Sequence, residues 1–131
     1  MSATFDDATR ALLDERTFAT LATAGPGGAP HASVIWVLRE GDTLLFSSAS
    51  GRQKVRNIAA DPRVSVTVFD AANPYHSVEI RGIAELEDDP DKKLPSRLSH
   101  KYLGGEAPPE PDEIRRVVIR VTPTKINAFS V

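Results

Sequence analysis

Pro30-His31-Ala32-Ser33-Val34-Ile35-Trp36-Val37-Leu38-Arg39 is the longest strand-like run in the chain, and Glu40-Gly41-Asp42 follows it directly. Successive side chains of a strand point to opposite faces, so His31, Ser33, Ile35 and Val37 share one side and Ala32, Val34, Trp36 and Leu38 the other. Apolar groups on both sides predict a central strand. The Gly41 turn predicts a hairpin with residues 43–48. Upstream, residues 17–23 alternate, with Phe18, Thr20 and Ala22 opposite Ala19 and Leu21, and Gly25-Pro26-Gly27-Gly28 is a turn by composition. Downstream, strands are predicted at 64–70, 77–87, 116–122 and 125–131, with Val117, Ile119 and Val121 forming a period-two face. Asn73-Pro74-Tyr75 is predicted to be a rigid turn joining two of them.

Helical signals are fewer. Phe5, Ala8, Leu12 and Leu13 recur at helical spacing, with Asp6 and Asp7 suited to the positive end of the dipole. Residues 51–60 predict a second helix that docks through Val55, Ile58 and Ala59 and ends at Asp61-Pro62. Residues 89–103 are only weakly helical, interrupted by Pro90 and Pro95, and the Gly- and Pro-rich stretch 104–111 predicts a surface loop. About seven strands with two or three helices, in an order lacking β-α-β alternation, predict a mainly β fold, an antiparallel barrel with peripheral helices.

The 131 residues fit one domain, 1–131. Lys and Arg total 16 against 18 Asp and Glu, a balance unlike the basic field of a general nucleic-acid binder. With no cysteine, disulfides, thiolate metal sites and cysteine nucleophiles are excluded. The apolar run from Val34 to Leu38 falls far short of the ~20 residues that span a bilayer, so no membrane partner is expected. Asp6, Asp7 and Arg10 do not make the basic-then-apolar layout of a signal peptide, and a cytoplasmic protein is the expectation.

The segment richest in chemistry is Ser47-Ser48-Ala49-Ser50-Gly51-Arg52-Gln53-Lys54-Val55-Arg56-Asn57-Ile58. Arg52, Lys54 and Arg56 crowd the start of a short helix, where the dipole is already positive, and Asp61 stands at the negative end. That reversed arrangement calls for an external anion, held by backbone N–H groups, serine hydroxyls and the cationic heads. The competing reading is a solvated basic helix that balances Asp61 and other acids. His31, His76 and His100 are scattered without ligand spacing, so no metal site is expected. No Gly-x-Ser-x-Gly elbow is present, and the Gly25–Gly28 cluster lacks the lysine of a phosphate loop. Trp36 is read either as a flank for a planar ring or as core, and Glu79 with Arg81 as a surface pair.

Phe18-Ala19-Thr20-Leu21-Ala22-Thr23, the Gly-rich turn, Pro30-His31-Ala32-Ser33-Val34, Lys54-Val55-Arg56-Asn57-Ile58 and Asp61-Pro62-Arg63-Val64 occur in this order. The pattern resembles the pyridoxamine 5′-phosphate oxidase-like family, and Asn73-Pro74-Tyr75-His76-Ser77-Val78-Glu79-Ile80-Arg81-Gly82 is similar to its deazaflavin-dependent branch. The resemblance implies a split β-barrel that forms a homodimer with two cofactor sites at the subunit interface. It implies that Arg52, Lys54, Arg56 and Asn57 grip the cofactor phosphate with help from Ser47 and Ser48. Ser33, Val34, Ile35 and Trp36 would line the tricyclic ring, and Tyr75 and His76 would approach from the partner subunit. The oxidases proper hold their substrate phosphate with a C-terminal region containing Arg and His, whereas this chain has no His after His100 and no Arg after Arg120. The implied cofactor is therefore coenzyme F-420 (8-hydroxy-5-deazaflavin), with FMN as the alternative, and the implied activity is hydride transfer to a small conjugated or quinone-like acceptor. No catalytic side chain is assigned, because the chemistry belongs largely to the cofactor. A carrier that binds without turnover is the non-enzymatic reading, and a haem-binding barrel finds no histidine to serve as its ligand. Lys101 and Tyr102 are read as contacts for the acidic tail of the coenzyme or as a surface pair.

Overall fold

The computed structural model describes residues 2–130. Seven antiparallel strands form one sheet: β1 (Phe18–Ala24), β2 (Pro30–Trp36), β3 (Leu38–Glu40), β4 (Thr43–Ala49), β5 (Arg63–Asp70), β6 (Asn73–Asp88) and β7 (Arg116–Phe129). Three helices accompany them, α1 (Asp7–Asp14), α2 (Gln53–Ala60) and α3 (Lys93–Leu103). The strand order is β2-β1-β5-β6-β7-β4-β3. Its two edges, β2 and β3, are consecutive in the chain and joined only through Val37, so the sheet curls on itself as a split barrel.

This corrects the expectation of one central strand over 30–39. The run divides at Val37, which is fully buried, and its halves pair with β1 on one side and β4 on the other. The polar groups of Val37 leave the ladder and are taken up by α3. Its N–H donates to Tyr102 Oη at 3.1 Å, and its carbonyl accepts from Lys101 Nζ at 2.7 Å. Apolar residues occupy both faces of the run because one face meets the barrel core and the other meets α3 and a cavity.

Alternation places Ala19, Leu21, Val66, Val68, Ile80, Ile119 and Val121 inside the barrel with Leu44 and Phe46 of β4. The opposite face of β4 carries Leu45, which packs with Leu94, Leu98 and Tyr102 of α3. The predicted strands 116–122 and 125–131 are one strand, β7, which follows the long β6 past a register shift at Arg81/Gly82. Gly82 is required there, since an added Cβ would lie 2.5 Å from the Thr122 carbonyl oxygen. The turn between β5 and β6 is Ala71-Ala72, so Asn73-Pro74-Tyr75 belongs to β6 rather than to a connecting turn.

The helices also depart from the pattern reading in detail. In α1, Thr9 rather than Ala8 is buried with Leu12 and Leu13, and Asp6 caps the helix by accepting from the Thr9 N–H at 2.8 Å. In α2, Asn57 is buried beside Val55 and Ile58 while Ala59 faces solvent. Residues 93–103 are regular helix despite Pro95, because that proline sits in the first turn, where no N–H is needed. The Asp89 carboxylate accepts from the N–H groups of Lys93 and Leu94, both at 3.0 Å, which supplies the cap. No helix among the described residues is long and apolar enough to cross a membrane.

Candidate functional site

A cavity of about 650 Å³ opens on the outer face of the barrel, lined by Phe18, Val34, Ile35, Trp36, Ser47, Pro95, Leu98, Arg116 and the loop residues Ala107, Pro108, Pro109 and Glu110. That volume is in the range of small-molecule and cofactor sites. One wall is the last turn of β2 before the Val37 break. Trp36 is held there by a parallel stack on Tyr102, with centroids 4.8 Å apart and planes 3° from parallel. Tyr102 Oη donates to the Thr17 carbonyl and accepts from the Val37 N–H, so the stack is pinned at its polar end.

The polar end of the cavity lies where β4 hands over to α2. Ser47 pairs with Val118 and Ala49 with Arg116 in the β4–β7 ladder, which places Ser47 and Arg116 on one face of the sheet. Ser47 Oγ is buried and has no hydrogen-bond partner. Lys54, half-buried on α2, reaches across to Ser33 Oγ on β2 at 3.5 Å. Burial, then the charges of Arg52 and Arg116, hold the Lys54 ammonium below the usual lysine range. Ser47 and Arg116 line the cavity, whereas Arg52, Lys54 and Arg56 do not; the unpartnered hydroxyl and the cations of adjoining α2 together fit an anionic group of a ligand.

The competing reading of a solvated basic helix is met in part, since Arg52 and Arg56 are exposed, but the helix does not balance Asp61 or another acid. Asp61 pairs with Arg63 at 2.7 Å, and Arg52, Lys54 and Arg56 make no ion pair with a carboxylate among the described residues. No side chain caps α2, whose N-cap is Arg52 and whose first turn contains no acid.

The other residues singled out from the sequence are distributed differently. Ser48 alternates to the interior face, where it is 2% exposed and donates to its neighbour's carbonyl. Asn57 is buried, donating to Thr23 Oγ1 at 3.0 Å and accepting from Gln53 Nε2 at 2.7 Å, so it fastens α2 to β1. Arg56 turns back on its own helix, bonded to the Gly51 carbonyl and to Gln53 Oε1. Tyr75 and His76 start β6 and do not line the cavity; the His76 ring lies 3.9 Å from Asp70. Lys101 and Tyr102 are not a surface pair but are engaged within the fold. Lys101 Nζ donates to the carbonyls of Leu13 and Val37, both at 2.7 Å, and Tyr102 is buried. Glu79 and Arg81 do pair, at 3.5 Å.

Arg116, Pro95, Leu98 and the 107–110 stretch line the cavity without any local signal in the sequence. Arg116 reads as the first residue of a strand, and its place beside α2 depends on pairing with β4. Glu110, arriving on the loop, binds Arg116 at 2.9 Å and Lys92 at 3.1 Å, and these partners, Arg116 foremost, hold its carboxyl at about 2.

Residues 5–130 match the family model described as pyridoxamine 5′-phosphate oxidase. The chain belongs to that family. Within the family's fold, the structure is similar to that of an F-420 reductase, with 35% identity and a TM-score of 0.86, covering 94% of this chain and 98% of that one. A candidate pyridoxamine 5′-phosphate oxidase from Listeria innocua is 26% identical with a TM-score of 0.71, covering 93% of this chain and 95% of that one. A conserved hypothetical protein from Mycobacterium tuberculosis, 23% identical with a TM-score of 0.79 over 98% of this chain and 86% of that one, shares the fold. No curated protein matches the chain in sequence.

Proposed function

We propose that this family member is an oxidoreductase that binds coenzyme F-420 and serves hydride transfer to a small conjugated or quinone-like acceptor. The observation that carries the reading is the unpartnered Ser47 Oγ on an apolar trough that Arg116 also lines, with the charges of Arg52 and Arg116 felt at Lys54 on the adjoining α2. The 35% identity to an F-420 reductase supports the choice of coenzyme. When bound, the reduced deazaflavin supplies the hydride.

The chain's own part is placement and exclusion of water. Lys54 and Arg52 neutralise the phosphate, Arg56 adds charge from the next turn, and Ser47 donates its free hydroxyl. Asn57 and Ser48 act from behind, keeping α2 and β4 in position. Ser33, Val34, Ile35 and Trp36 form the wall along a planar ring, with Trp36 fixed by its stack on Tyr102. Val34 is 69% exposed on this wall, and Phe18 and Tyr75 are exposed as well. A second copy of the chain covering them would complete the site and bring Tyr75 and His76 to it.

Side-by-side titration with F-420 and FMN, read by the fluorescence of the single tryptophan Trp36, tests the proposal. Tighter binding of F-420 is expected. Preference for FMN would move the protein to flavin chemistry on the same site, and binding of neither would remove the reading altogether. Binding of F-420 with no acceptor reduced across a broad panel would indicate a carrier.

A further inference from the structure

Glu110 is the one carboxylate among the residues lining the main cavity, and it stands at the cationic end. It is carried by residues 104–115, a strap without helix or strand that runs from the end of α3 to the start of β7. Between them, Ala107, Pro108, Pro109 and Glu110 make the wall that completes the trough begun by Val34, Ile35 and Trp36. Among the described residues no backbone hydrogen bond ties 107–110 to the body, and Pro108 and Pro109 have no N–H to offer. Backbone bonds fix only its ends, Gly104 N–H to the His100 carbonyl and Ser50 N–H to the Arg115 carbonyl, and side chains hold the rest, Glu106 among them through His100 at 3.0 Å. Glu110 bridges Arg116 and Lys92, Lys92 Nζ also donates to the Pro111 carbonyl at 3.2 Å, and Ser99 Oγ donates to the Gly105 carbonyl at 2.6 Å.

Arg116 is the hinge of this arrangement. Its strand position opposite Ala49 puts it on the cavity face beside the turn into α2, and its charge is felt at Lys54. Its guanidinium is engaged twice by Glu110, through Nε at 3.3 Å and Nη2 at 2.9 Å. A phosphate offers the same fork a partner of higher charge, and it would be held at the same time by Lys54 and the free Ser47 hydroxyl. Phosphate and carboxylate cannot share the guanidinium without like-charge repulsion in a half-buried place.

Resting on the reading of the site given above, we propose that Arg116 is a further anion-binding residue of this cavity and that Glu110 is the resident anion an incoming phosphate-bearing ligand displaces, unlatching the strap. The exchange works by competition rather than by titration, because Glu110 keeps its charge throughout the ordinary pH range.

The experiment pairs a binding titration with hydrogen exchange on the full chain carrying Glu110→Gln, Arg116→Gln or both. Titrated with F-420 at low ionic strength, Glu110→Gln is expected to bind about 5- to 50-fold tighter than wild type, as removal of a competing charged partner predicts. Arg116→Gln is expected to bind at least about 10-fold more weakly, and adding Glu110→Gln to it should change affinity by less than about 2-fold. The Ile114 and Ser50 amides, hydrogen-bonded to the Pro111 and Arg115 carbonyls of the strap, should exchange faster in free Glu110→Gln, and in wild type once F-420 is bound. An unchanged affinity in Glu110→Gln, or a gain that persists without Arg116, overturns the proposal. If wild type binds neither F-420 nor FMN, the functional reading fails by itself, and the same variants titrated with inorganic pyrophosphate decide the latch. Strap exchange unaltered in free Glu110→Gln overturns it in that case too.

Discussion

Lys54 shows how one residue joins the local pattern to the site. It is half-buried without a carboxylate partner, so the fold bears the cost of its charge, and on the proposed reading a bound anion would recover it. Lys54→Ala should weaken F-420 binding by ~1–3 kcal/mol, the range for losing a charged hydrogen-bond partner, while leaving the urea midpoint of the free protein unchanged or raised. Equal titration curves for the two proteins would contradict this. Lys101 is the contrasting case, a lysine whose work is structural. Burial lowers it to about 8, against which Asp14 pulls upward. Between pH 8 and about 10 the unfolded chain therefore holds this proton more firmly than the folded one, so folding stability gained from this group rises with pH across that window. Urea midpoints at pH 7.5 and 9.5 should show that rise in wild type relative to Lys101→Met, in which the titration is gone.

At the scale of elements, the long β6–β7 pair is the spine of the sheet, and its register shift depends on Gly82. In Gly82→Ala the new methyl would meet the Thr122 carbonyl oxygen at 2.5 Å and a Val121 methyl at 2.7 Å, so backbone must move. Overpacking of this kind costs ~1–3 kcal/mol, and a urea unfolding curve should show that loss as a lower midpoint, the shift being the loss divided by an unchanged slope. The α3–β2 contact is the second element-scale device. The Trp36–Tyr102 stack contributes on the order of 1 kcal/mol beyond area burial, and it makes α3 the support for the cavity wall. The weak helical pattern around Pro95 hid this element, because a proline in the first turn costs nothing that pattern reading can register.

At the scale of the molecule, the curled sheet leaves Phe18, Val34, Phe69, Tyr75 and Phe129 exposed, with Val34 and Phe18 on the cavity itself. Large apolar side chains gathered beside a ligand site are what a protein–protein interface would cover. Sedimentation at micromolar concentration is expected to give the mass of a dimer, with an interface above ~1,000 Å². A monomer would remove Tyr75 and His76 from the proposed site, since neither reaches the cavity of its own chain.

What the sequence determined by itself is whatever short-range periodicity governs. Alternation at Val117, Ile119 and Val121 gives a buried strand face, the Gly41 turn gives a hairpin, and Arg52, Lys54 and Arg56 crowd positive charge at a helix start. Each follows from neighbours a few residues apart, whose geometry is set by the backbone alone. Tertiary structure decided the break at Val37, the turning of Asn57 and Ser48 into the core, and the arrival of Glu110 at Arg116, whose charge is felt at Lys54. Those outcomes depend on which strands pair and on which distant side chains satisfy a freed N–H or carbonyl, and no local pattern carries that information.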